Sequence, residues 1–487
     1  MKRLNTPVTA SDMGALFLTA NSVAKRPASI GSVRILPECS EKSVSKLNLD
    51  DIEEFSTSEF QHQRSMCRSK KSLLKTIVEE PQIRGNCSTD FLKWKELLLS
   101  MSPGMVMPEE SRKADYDSLE TQYQKGVKHL YDNGIEHVPR KYILPASERP
   151  NVVNERSRDA THHINLKLPI IDFSELQGPN RSQVLTSLAS ACENYGFFQL
   201  VNHGIPYEII SNMVDVSKRF FELPFSEREK YMSADMGSPV RYGTSYNQTN
   251  DGVFCWRDFL KLVCHPLPDL LPHWPSSPLD FRKLAVRYAK EVKFLFLMLV
   301  DAILESLGLM NKKKTTEKDE DKDEDEKKEI LKEFEDGSQL MVMNCYPPCP
   351  QPDLTLGMPP HSDYGFLTLL LQDEVKGLQI QHKENWVTVE PIPGSFVVNV
   401  GDHLEIFSNG RYKSVLHRVL VNSMNYRISV ASLHSLPFKS TVQPCPKLIS
   451  ETNPRRYMDT DFATFLDYIK SRDATKKSFL QSRKLTS

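Results

Sequence analysis

The sequence predicts an α+β protein in which helices come first and an all-β core follows. Between residues 180 and 307, apolar residues recur at helical spacing, and the last helix is long enough to support a sheet. Between residues 340 and 433, seven short apolar or β-branched runs are separated by turn signals such as Pro393-Gly394 and Asn409-Gly410. Many short strands at regular spacing are typical of a sandwich, a barrel or a jelly roll.

Residues 1–117 are predicted to form an N-terminal extension that is mostly disordered. They are rich in Ser, Thr, Lys and Arg, and only Asp90–Leu99 is spaced as a short amphipathic helix. The first 37 residues hold five basic residues, one acidic residue (Asp12) and seven Ser or Thr. This composition also fits a transit peptide, so a disordered tail and a targeting segment both stay open.

Residues 118–310 are predicted to form a region of helices and strands. Gly196 and Gly308 are helix stop signals, and Pro224 follows another helix. The predicted elements are strands at Leu168–Phe173 and Phe197–Val201 and helices at Asn180–Asn194, Tyr207–Phe221 and Pro278–Leu307.

A strongly charged segment separates this region from the strands. Residues 311–336 contain 8 Lys and 12 acidic residues among 26, which predicts a solvated, mobile loop. The strand-rich domain is predicted to cover residues 337–440. Residues 441–487 are then a C-terminal tail, with a helix at Phe462–Ile469.

The composition excludes several classes of protein. There are 62 Lys and Arg against 63 Asp and Glu, a net charge of −1, whereas a general nucleic-acid binder should be basic. The longest apolar run, Phe294–Val300, falls far short of the roughly 18 residues that cross a bilayer. The nine cysteines are odd in number and form no C-x-x-C pair, which favours a reducing compartment. We therefore expect neither a nucleic-acid nor a membrane partner.

Three residues form a candidate metal site. His361 and Asp363 stand at i and i+2, so on an extended chain their side chains point to the same side. Two other His-x-Glu pairs in the chain show that this pattern alone is weak. His417, however, follows in a predicted strand. Two histidines and one carboxylate make the facial triad that suits non-haem Fe(II) and leaves positions open for reactants.

Four further residues are candidates for binding an organic acid. Arg427 and Ser429 share one strand face shortly after His417. A guanidinium there can bind a carboxylate through two hydrogen bonds, and the hydroxyl can add a third. Asn344 and Tyr346 share one face at the end of another predicted strand and can contribute polar contacts to the same pocket.

These motifs resemble the plant 2-oxoglutarate- and Fe(II)-dependent dioxygenases. Within that family, the chain is most similar to flavanone 3-dioxygenase-like and downy-mildew-resistance-type oxygenases. The resemblance extends over residues 118–484, apart from the charged segment. It is carried by NYGFFQLVNHG at 194–204, NCYPPCPQPDLTLG at 344–357, HSDYGFLTLLLQ at 361–372, GLQI at 377–380, NVGD at 399–402, SNGRYKSVLHR at 408–418 and RIS at 427–429.

The resemblance implies a double-stranded β-helix, which is a jelly-roll variant, supported by the long helix. It implies that His361, Asp363 and His417 bind Fe(II), that Arg427 and Ser429 hold the distal carboxylate of 2-oxoglutarate, and that Asn344 and Tyr346 line the cosubstrate site. The implied reaction consumes dioxygen and 2-oxoglutarate, releases succinate and CO2, and hydroxylates or desaturates a small plant metabolite. Ascorbate is the expected reductant.

The substrate pocket is less clearly marked. Aromatic residues near the family's pocket segments are candidate substrate contacts, together with one aliphatic residue: Tyr242, Tyr246, Trp256, Tyr364, Phe366 and Leu433. Leu433 stands where flavonoid-acting members usually carry Phe, which argues against a flavonoid and for a different or smaller ligand. The expected substrate is a small plant metabolite that is phenolic, flavonoid-like or hormone-like.

Two alternatives stay open. One is a catalytically silent ligand-binding protein on this scaffold, and the other is an iron oxidase that uses ascorbate in place of 2-oxoglutarate. We expect a monomer in the cytoplasm, with the chloroplast as the alternative location.

Overall fold

The computed structural model describes residues 122–150, 167–245, 248, 251–309, 328–470 and 479–485. The predicted N-terminal extension up to residue 117 lies outside the described residues. So do Tyr246 and residues 310–327 of the region around the charged segment.

Twelve described strands form two sheets. The eight-stranded sheet has the order β1-β2-β10-β7-β12-β5-β4-β3, and the four-stranded sheet has the order β6-β11-β8-β9. Every described strand pair is antiparallel except β1 with β2. The strands are β1 Ile170–Asp172, β2 Phe197–Val201, β3 Val240–Thr244, β4 Asp258–Val263, β5 Gln339–Tyr346, β6 Met358–His361, β7 Leu367–Gln372, β8 Leu378–His382, β9 Asn385–Thr388, β10 Phe396–Val400, β11 His417–Val419 and β12 Arg427–His434.

Several helices pack against the outer face of the larger sheet, and two more come after the last strand in the sequence. The described helices are α1 Val127–Asp132, α2 Arg181–Asn194, α3 Tyr207–Phe221, α4 Phe225–Arg228, α5 Leu267–Leu270, α6 Phe281–Ser306, α7 at residues 328–335, α8 Asp402–Phe407, α9 Phe462–Lys470 and α10 Phe479–Arg483. None of the described helices is both long and apolar enough to cross a membrane.

The main hydrophobic core lies between the larger sheet and helices α2, α3 and α6. Helix α6 buries one apolar stripe that includes Val292, Phe296 and Leu299. The helix ends before Gly308, whose φ of 80° is the left-handed conformation that commonly ends helices at glycine. This confirms the predicted supporting helix, with bounds shorter than the predicted Pro278–Leu307.

Part of the charged segment is helical and packed. Helix α7 falls within the segment predicted as a solvated loop, yet Phe334 is buried against the rings of Phe296 and Phe366. Ile330 and Leu331 also pack against the main core, and burying the phenyl ring alone contributes about 1.5–3 kcal/mol, so three apolar residues anchor this charged helix.

Strand β4, next to the edge strand β3 of the larger sheet, carries a buried carboxylate. Asp258 accepts hydrogen bonds from the backbone N–H groups of Val127 (2.8 Å) and Lys128 (3.1 Å) at the start of α1. It also accepts one from the Tyr242 hydroxyl (3.0 Å), and Arg228 Nη1 lies 3.7 Å from its Oδ2. Asp258 therefore fixes α1 to this end of the sheet, because a carboxylate at the N-terminus of a helix is stabilised by the free N–H groups and the positive end of the helix dipole.

We expect Asp258→Ala to destabilise the fold strongly. The change removes the acceptor for α1 and leaves the fully buried Arg228 without its carboxylate. Loss of one partner of a buried charge pair costs about 3–5 kcal/mol, which urea unfolding would measure. The matched control is Asp215→Ala, a surface carboxylate paired with Arg219, for which little change is expected. Equal stability of both variants would show that Asp258 does not anchor α1.

Candidate active site

The four-stranded sheet brings the three candidate metal-ligating side chains together. His361 ends β6, His417 begins β11, and the two are direct partners in the antiparallel pair. Asp363 follows β6, outside the strand. Its Oδ1 lies 3.7 Å from His361 Nε2 and 3.6 Å from His417 Nε2. All three ligand atoms lie within 4.8 Å of one another.

Hydrogen bonds orient all three side chains. Asp363 Oδ2 accepts from Thr368 Oγ1 (2.6 Å) and Asn399 Nδ2 (2.9 Å), so Oδ1 stays directed toward the histidines. The Nδ1 atoms of His361 and His417 lie 2.8 Å and 3.3 Å from the carbonyl oxygens two residues before them. Donation from Nδ1 to a carbonyl leaves Nε2 as the free lone pair, as in most metal-binding histidines.

The electrostatics of the cluster suit a divalent cation. Burial and, to a smaller extent, the neighbouring His417 together lower the pKa of His361 to about 3. Burial by itself would raise the pKa of Asp363, but the adjacent imidazoles and the hydrogen bonds from Thr368 and Asn399 outweigh it, so this pKa is lowered. A neutral imidazole and an ionised carboxylate are the forms that coordinate metal.

The four predicted acid-binding residues lie together on the larger sheet. Arg427 pairs with Tyr346, and Ser429 pairs with Asn344, across β12 and β5. Arg427 is 2% exposed; its Nε donates to Val375 O (3.1 Å) and its Nη2 to Gln372 Oε1 (3.0 Å). Its Nη1 is buried and has no hydrogen-bond partner. A buried donor without an acceptor is costly, so this atom marks a place for an anionic ligand.

Two glycines make room for this guanidinium. A Cβ on Gly377 would lie 3.1 Å from Arg427 Cδ, and a Cβ on Gly357 would lie 2.7 Å from the Tyr346 ring. The Tyr346 ring in turn lies 5.1 Å from the Arg427 guanidinium carbon, a cation–π distance. The glycines of the GLQI and NCYPPCPQPDLTLG blocks thus allow Arg427 and Tyr346 to pack closely.

One cavity of about 370 Å³ contains both clusters. Its floor is the inner face of the larger sheet, and the metal-ligating cluster lies on its wall. Aromatic and aliphatic side chains of the C-terminal helices line the opposite side, where the Tyr364 ring stacks on Phe465 at 4.0 Å. The cavity therefore joins a charged site to an apolar compartment, as small-molecule sites usually do.

The candidate substrate contacts separate into two groups. Leu433 and Tyr364 line the cavity. Tyr242, Trp256 and Phe366 are fully buried and absent from its lining, contrary to the expectation from the sequence. The Tyr242 hydroxyl is bonded to Asp258, the Trp256 indole donates to Pro347 O (3.0 Å), and Phe366 packs in the main core. The polar groups of Tyr242 and Trp256 have partners distant in the sequence, which no local pattern reveals.

Several residues that support the site were not predicted from the sequence. Thr368 and Asn399 hold Asp363, and Gln372 holds Arg427. Ser362 donates to Asp402 at the start of α8 (3.3 Å), which connects the ligand loop to that helix. The available signal was a polar residue within an otherwise apolar strand, as Asn399 is in β10, because buried polar side chains need partners.

Comparison with known proteins identifies the family. The model of the 2OG-Fe(II) oxygenase superfamily matches residues 337–435, and that of the N-terminal region of non-haem dioxygenases in morphine synthesis matches residues 168–278. Protein DMR6-LIKE OXYGENASE 1 of Arabidopsis thaliana is 41% identical over 350 residues, which are 72% of this chain and 94% of the relative. The chain belongs to the 2OG-Fe(II) oxygenase superfamily. Membership confirms the resemblance and makes this oxygenase an oxidoreductase that depends on Fe(II), 2-oxoglutarate and dioxygen.

Other relatives agree with this assignment. Flavanone 3-dioxygenase 2 of Oryza sativa subsp. japonica is 37% identical to the oxygenase over 345 residues, 71% of this chain and 93% of the relative. The crystal structure of JOX2 in complex with 2OG, Fe and JA superposes with a TM-score of 0.63 at 31% identity, covering 74% of this chain and 98% of that one. This likeness confirms the predicted jelly-roll α+β fold.

Proposed function

We propose that this oxygenase binds Fe(II) through His361, Asp363 and His417 and binds 2-oxoglutarate through Arg427 and Ser429, in order to hydroxylate or desaturate a small plant metabolite. This places it among the dioxygenases of class EC 1.14.11. The observation that carries the proposal is the presence, in one cavity, of three converging ligand atoms and a buried guanidinium with an unpartnered nitrogen.

The residues present fit both groups. Two imidazole nitrogens and one carboxylate oxygen are the donor set of facial Fe(II) sites, which leave positions open. Arg427 Nη1 and the Ser429 hydroxyl are donors that suit a carboxylate, and Asn344 and Tyr346 line the cavity beside them. Bound Fe(II) and 2-oxoglutarate would supply the oxidation of a substrate C–H bond by dioxygen, with release of succinate and CO2.

The protein itself holds the groups proposed to bind the metal and the cosubstrate in fixed positions and lines the cavity with apolar side chains. Thr368 and Asn399 fix the Asp363 carboxylate, and Gln372 and Val375 fix the Arg427 guanidinium. The aromatic side chains of α9 line the cavity and form an apolar part of its wall. Such preorganisation is what a protein supplies to a reaction whose difficult chemistry belongs to its cofactors.

The relatives support a small-molecule substrate. The rice relative is named for a flavanone, and the JOX2 crystal contains JA beside 2OG and Fe. In this oxygenase Leu433 lines the cavity, so an aliphatic side chain is available to contact the substrate. We also propose a monomer that uses ascorbate as reductant and has no nucleic-acid or membrane partner. It would work in the cytoplasm, with the chloroplast as the alternative.

The direct test is turnover of labelled 2-oxoglutarate. Anaerobic protein receives Fe(II) and labelled 2-oxoglutarate, then oxygen, with and without pooled plant phenolics and hormones. We expect iron-dependent release of succinate and CO2, stimulated by one pool. No release under any condition, with iron bound, would overturn the proposal and leave an ascorbate-dependent oxidase or a silent binder.

We expect Thr368→Val to weaken iron binding. The change keeps the shape of the side chain but removes the 2.6 Å hydrogen bond that holds Asp363, while the bond from Asn399 remains. Loss of an outer partner of a metal ligand costs about 10–100-fold in affinity, and one of two partners should cost about tenfold. Anaerobic titration with Fe(II) measures this. Thr388→Val, in β9, is the matched control, and an equal effect of both changes would contradict the role of Thr368.

A further inference from the structure

The cavity holds more positive charge than its cosubstrate requires. Besides Arg427, three basic side chains line it: Arg241 on β3, Arg257 just before β4, and Lys261 on β4. Strand β5 separates them from β12, which carries Arg427. The charges of Arg257 and Lys261 are therefore available to a second ligand.

The strand register gives the distance between Lys261 and strand β12, which carries Arg427. Lys261 pairs with Val342 on β5, and Val342 pairs with Ala431 on β12. Neighbouring strands are about 4.8 Å apart, so Lys261 lies about 10 Å across the sheet from Ala431. Arg241 pairs with Lys261 and lies one strand further out. A ligand at this edge can occupy the cavity beside 2-oxoglutarate without using Arg427.

Arg257 is a buried cation with an unused donor. It is 5% exposed, its Nη2 donates to Ser245 O (2.6 Å), and its Nη1 donates to Asn344 Oδ1 (3.2 Å) and contacts Met358 Sδ (3.0 Å). All three of these partners are uncharged, and its buried Nε has no hydrogen-bond partner. The guanidinium carbon lies 4.8 Å from the Phe259 ring, which fixes its plane.

Lys261 is a second cation that lines the cavity, and it is partly buried. Its Nζ donates to Met236 O (2.7 Å), and no salt bridge involves Lys261 or Arg257 among the residues that the structure describes. Burial and the nearby Arg241 lower the pKa of Lys261 to about 8, while Asp235 opposes this shift weakly. Charges withdrawn from water normally have a counter-charge, so a buried guanidinium and a partly buried ammonium in one cavity indicate a ligand that brings its own.

The rest of the compartment is apolar. The Phe259 ring contacts the guanidinium groups of Arg241 and Arg257. Other apolar side chains that line the cavity are Leu433, Phe438, Phe465 and Tyr468. These surfaces suit a ring or a short hydrocarbon body and offer little to a polyol or a sugar.

From this arrangement we infer that the substrate is an organic acid, whose carboxylate is bound by Arg257 and Lys261 and whose apolar body lies against the aromatic side chains. The inference rests on the proposed function, because it assigns the substrate class of the same cavity. Lys261 is the more selective probe, since Arg257 also touches Asn344 beside the proposed cosubstrate site.

The test compares acids with their neutral analogues. Aryl- and arylalkyl-carboxylic acids and their primary amides are titrated by calorimetry into the anaerobic protein with Fe(II) and 2-oxoglutarate, so binding is read without turnover. We expect at least one acid to bind more tightly than its amide by about 10–100-fold, the range for hydrogen bonds to charged groups. Lys261→Met should remove most of this preference, and Lys261→Arg should retain it.

Lys230→Met, which changes a surface lysine paired with Glu227, is the matched control and should keep the preference. Equal binding of acids and amides would overturn the inference, and so would the absence of acid binding at millimolar concentration. Succinate release by the wild-type protein is measured in parallel. Release without a preference for acids overturns only the substrate class, whereas acid binding without release overturns only the dioxygenase assignment.

Discussion

Replacing His417 by alanine is expected to abolish 2-oxoglutarate turnover. The change removes one of three ligand atoms that lie within 4.8 Å of one another, and no other described His, Cys, Asp or Glu belongs to that cluster. Loss of an outer partner alone costs about 10–100-fold, so loss of a ligand should exceed about 100-fold in succinate release. Bound iron after desalting should fall in parallel, which separates a metal defect from a defect in chemistry.

The matched control is His382→Ala. His382 begins another His-x-Glu pair, at the end of β8, but its ring stacks on Tyr195 and does not line the cavity. We expect normal iron content and normal succinate release from this variant. Unfolding temperatures of both variants show whether folding is intact. Normal turnover by a folded His417→Ala protein would contradict the assignment of this ligand.

The sequence was sufficient to predict the parts of the fold that follow local patterns. Helix α3 and strand β2 have the predicted bounds, because their apolar residues follow one period without interruption. The clustering of His361, Asp363 and His417 could also be predicted, since the three are chemically distinctive and their spacing fits two adjoining strands. The structure places these three together, as the pattern suggested.

Elements that carry buried charge could not be predicted in the same way. Strands β3 and β4 contain Arg241, Asp258 and Lys261, which interrupt the alternation that marks a strand. Each charge is accommodated by a distant partner or by the cavity, as when Asp258 binds the start of α1. The same limit explains Tyr242 and Trp256, whose aromatic rings suggested substrate contacts but serve the packing of the core.

Arg427→Met is expected to raise the KM for 2-oxoglutarate much more than it lowers kcat. Methionine preserves part of the aliphatic stem beside Gly377 but removes the buried guanidinium. A hydrogen bond to a charged group contributes about 1.5–3 kcal/mol, so we expect an increase of about 10–100-fold in KM. The proposed bond to the distal carboxylate would exist before and during the reaction, and loss of such uniform binding appears in KM.

The Arg427→Lys variant makes this prediction specific to the fork of the guanidinium. Lysine keeps the positive charge but cannot donate at once to Val375 O, to Gln372 Oε1 and to the ligand, as the three nitrogens of Arg427 are placed to do. Its KM should therefore lie between those of the wild type and of Arg427→Met. The surface variant Arg219→Met, which removes an arginine paired with Asp280, should leave KM unchanged. Because the buried Nη1 is the donor available to 2-oxoglutarate, an unchanged KM in Arg427→Met would place the cosubstrate elsewhere in the cavity.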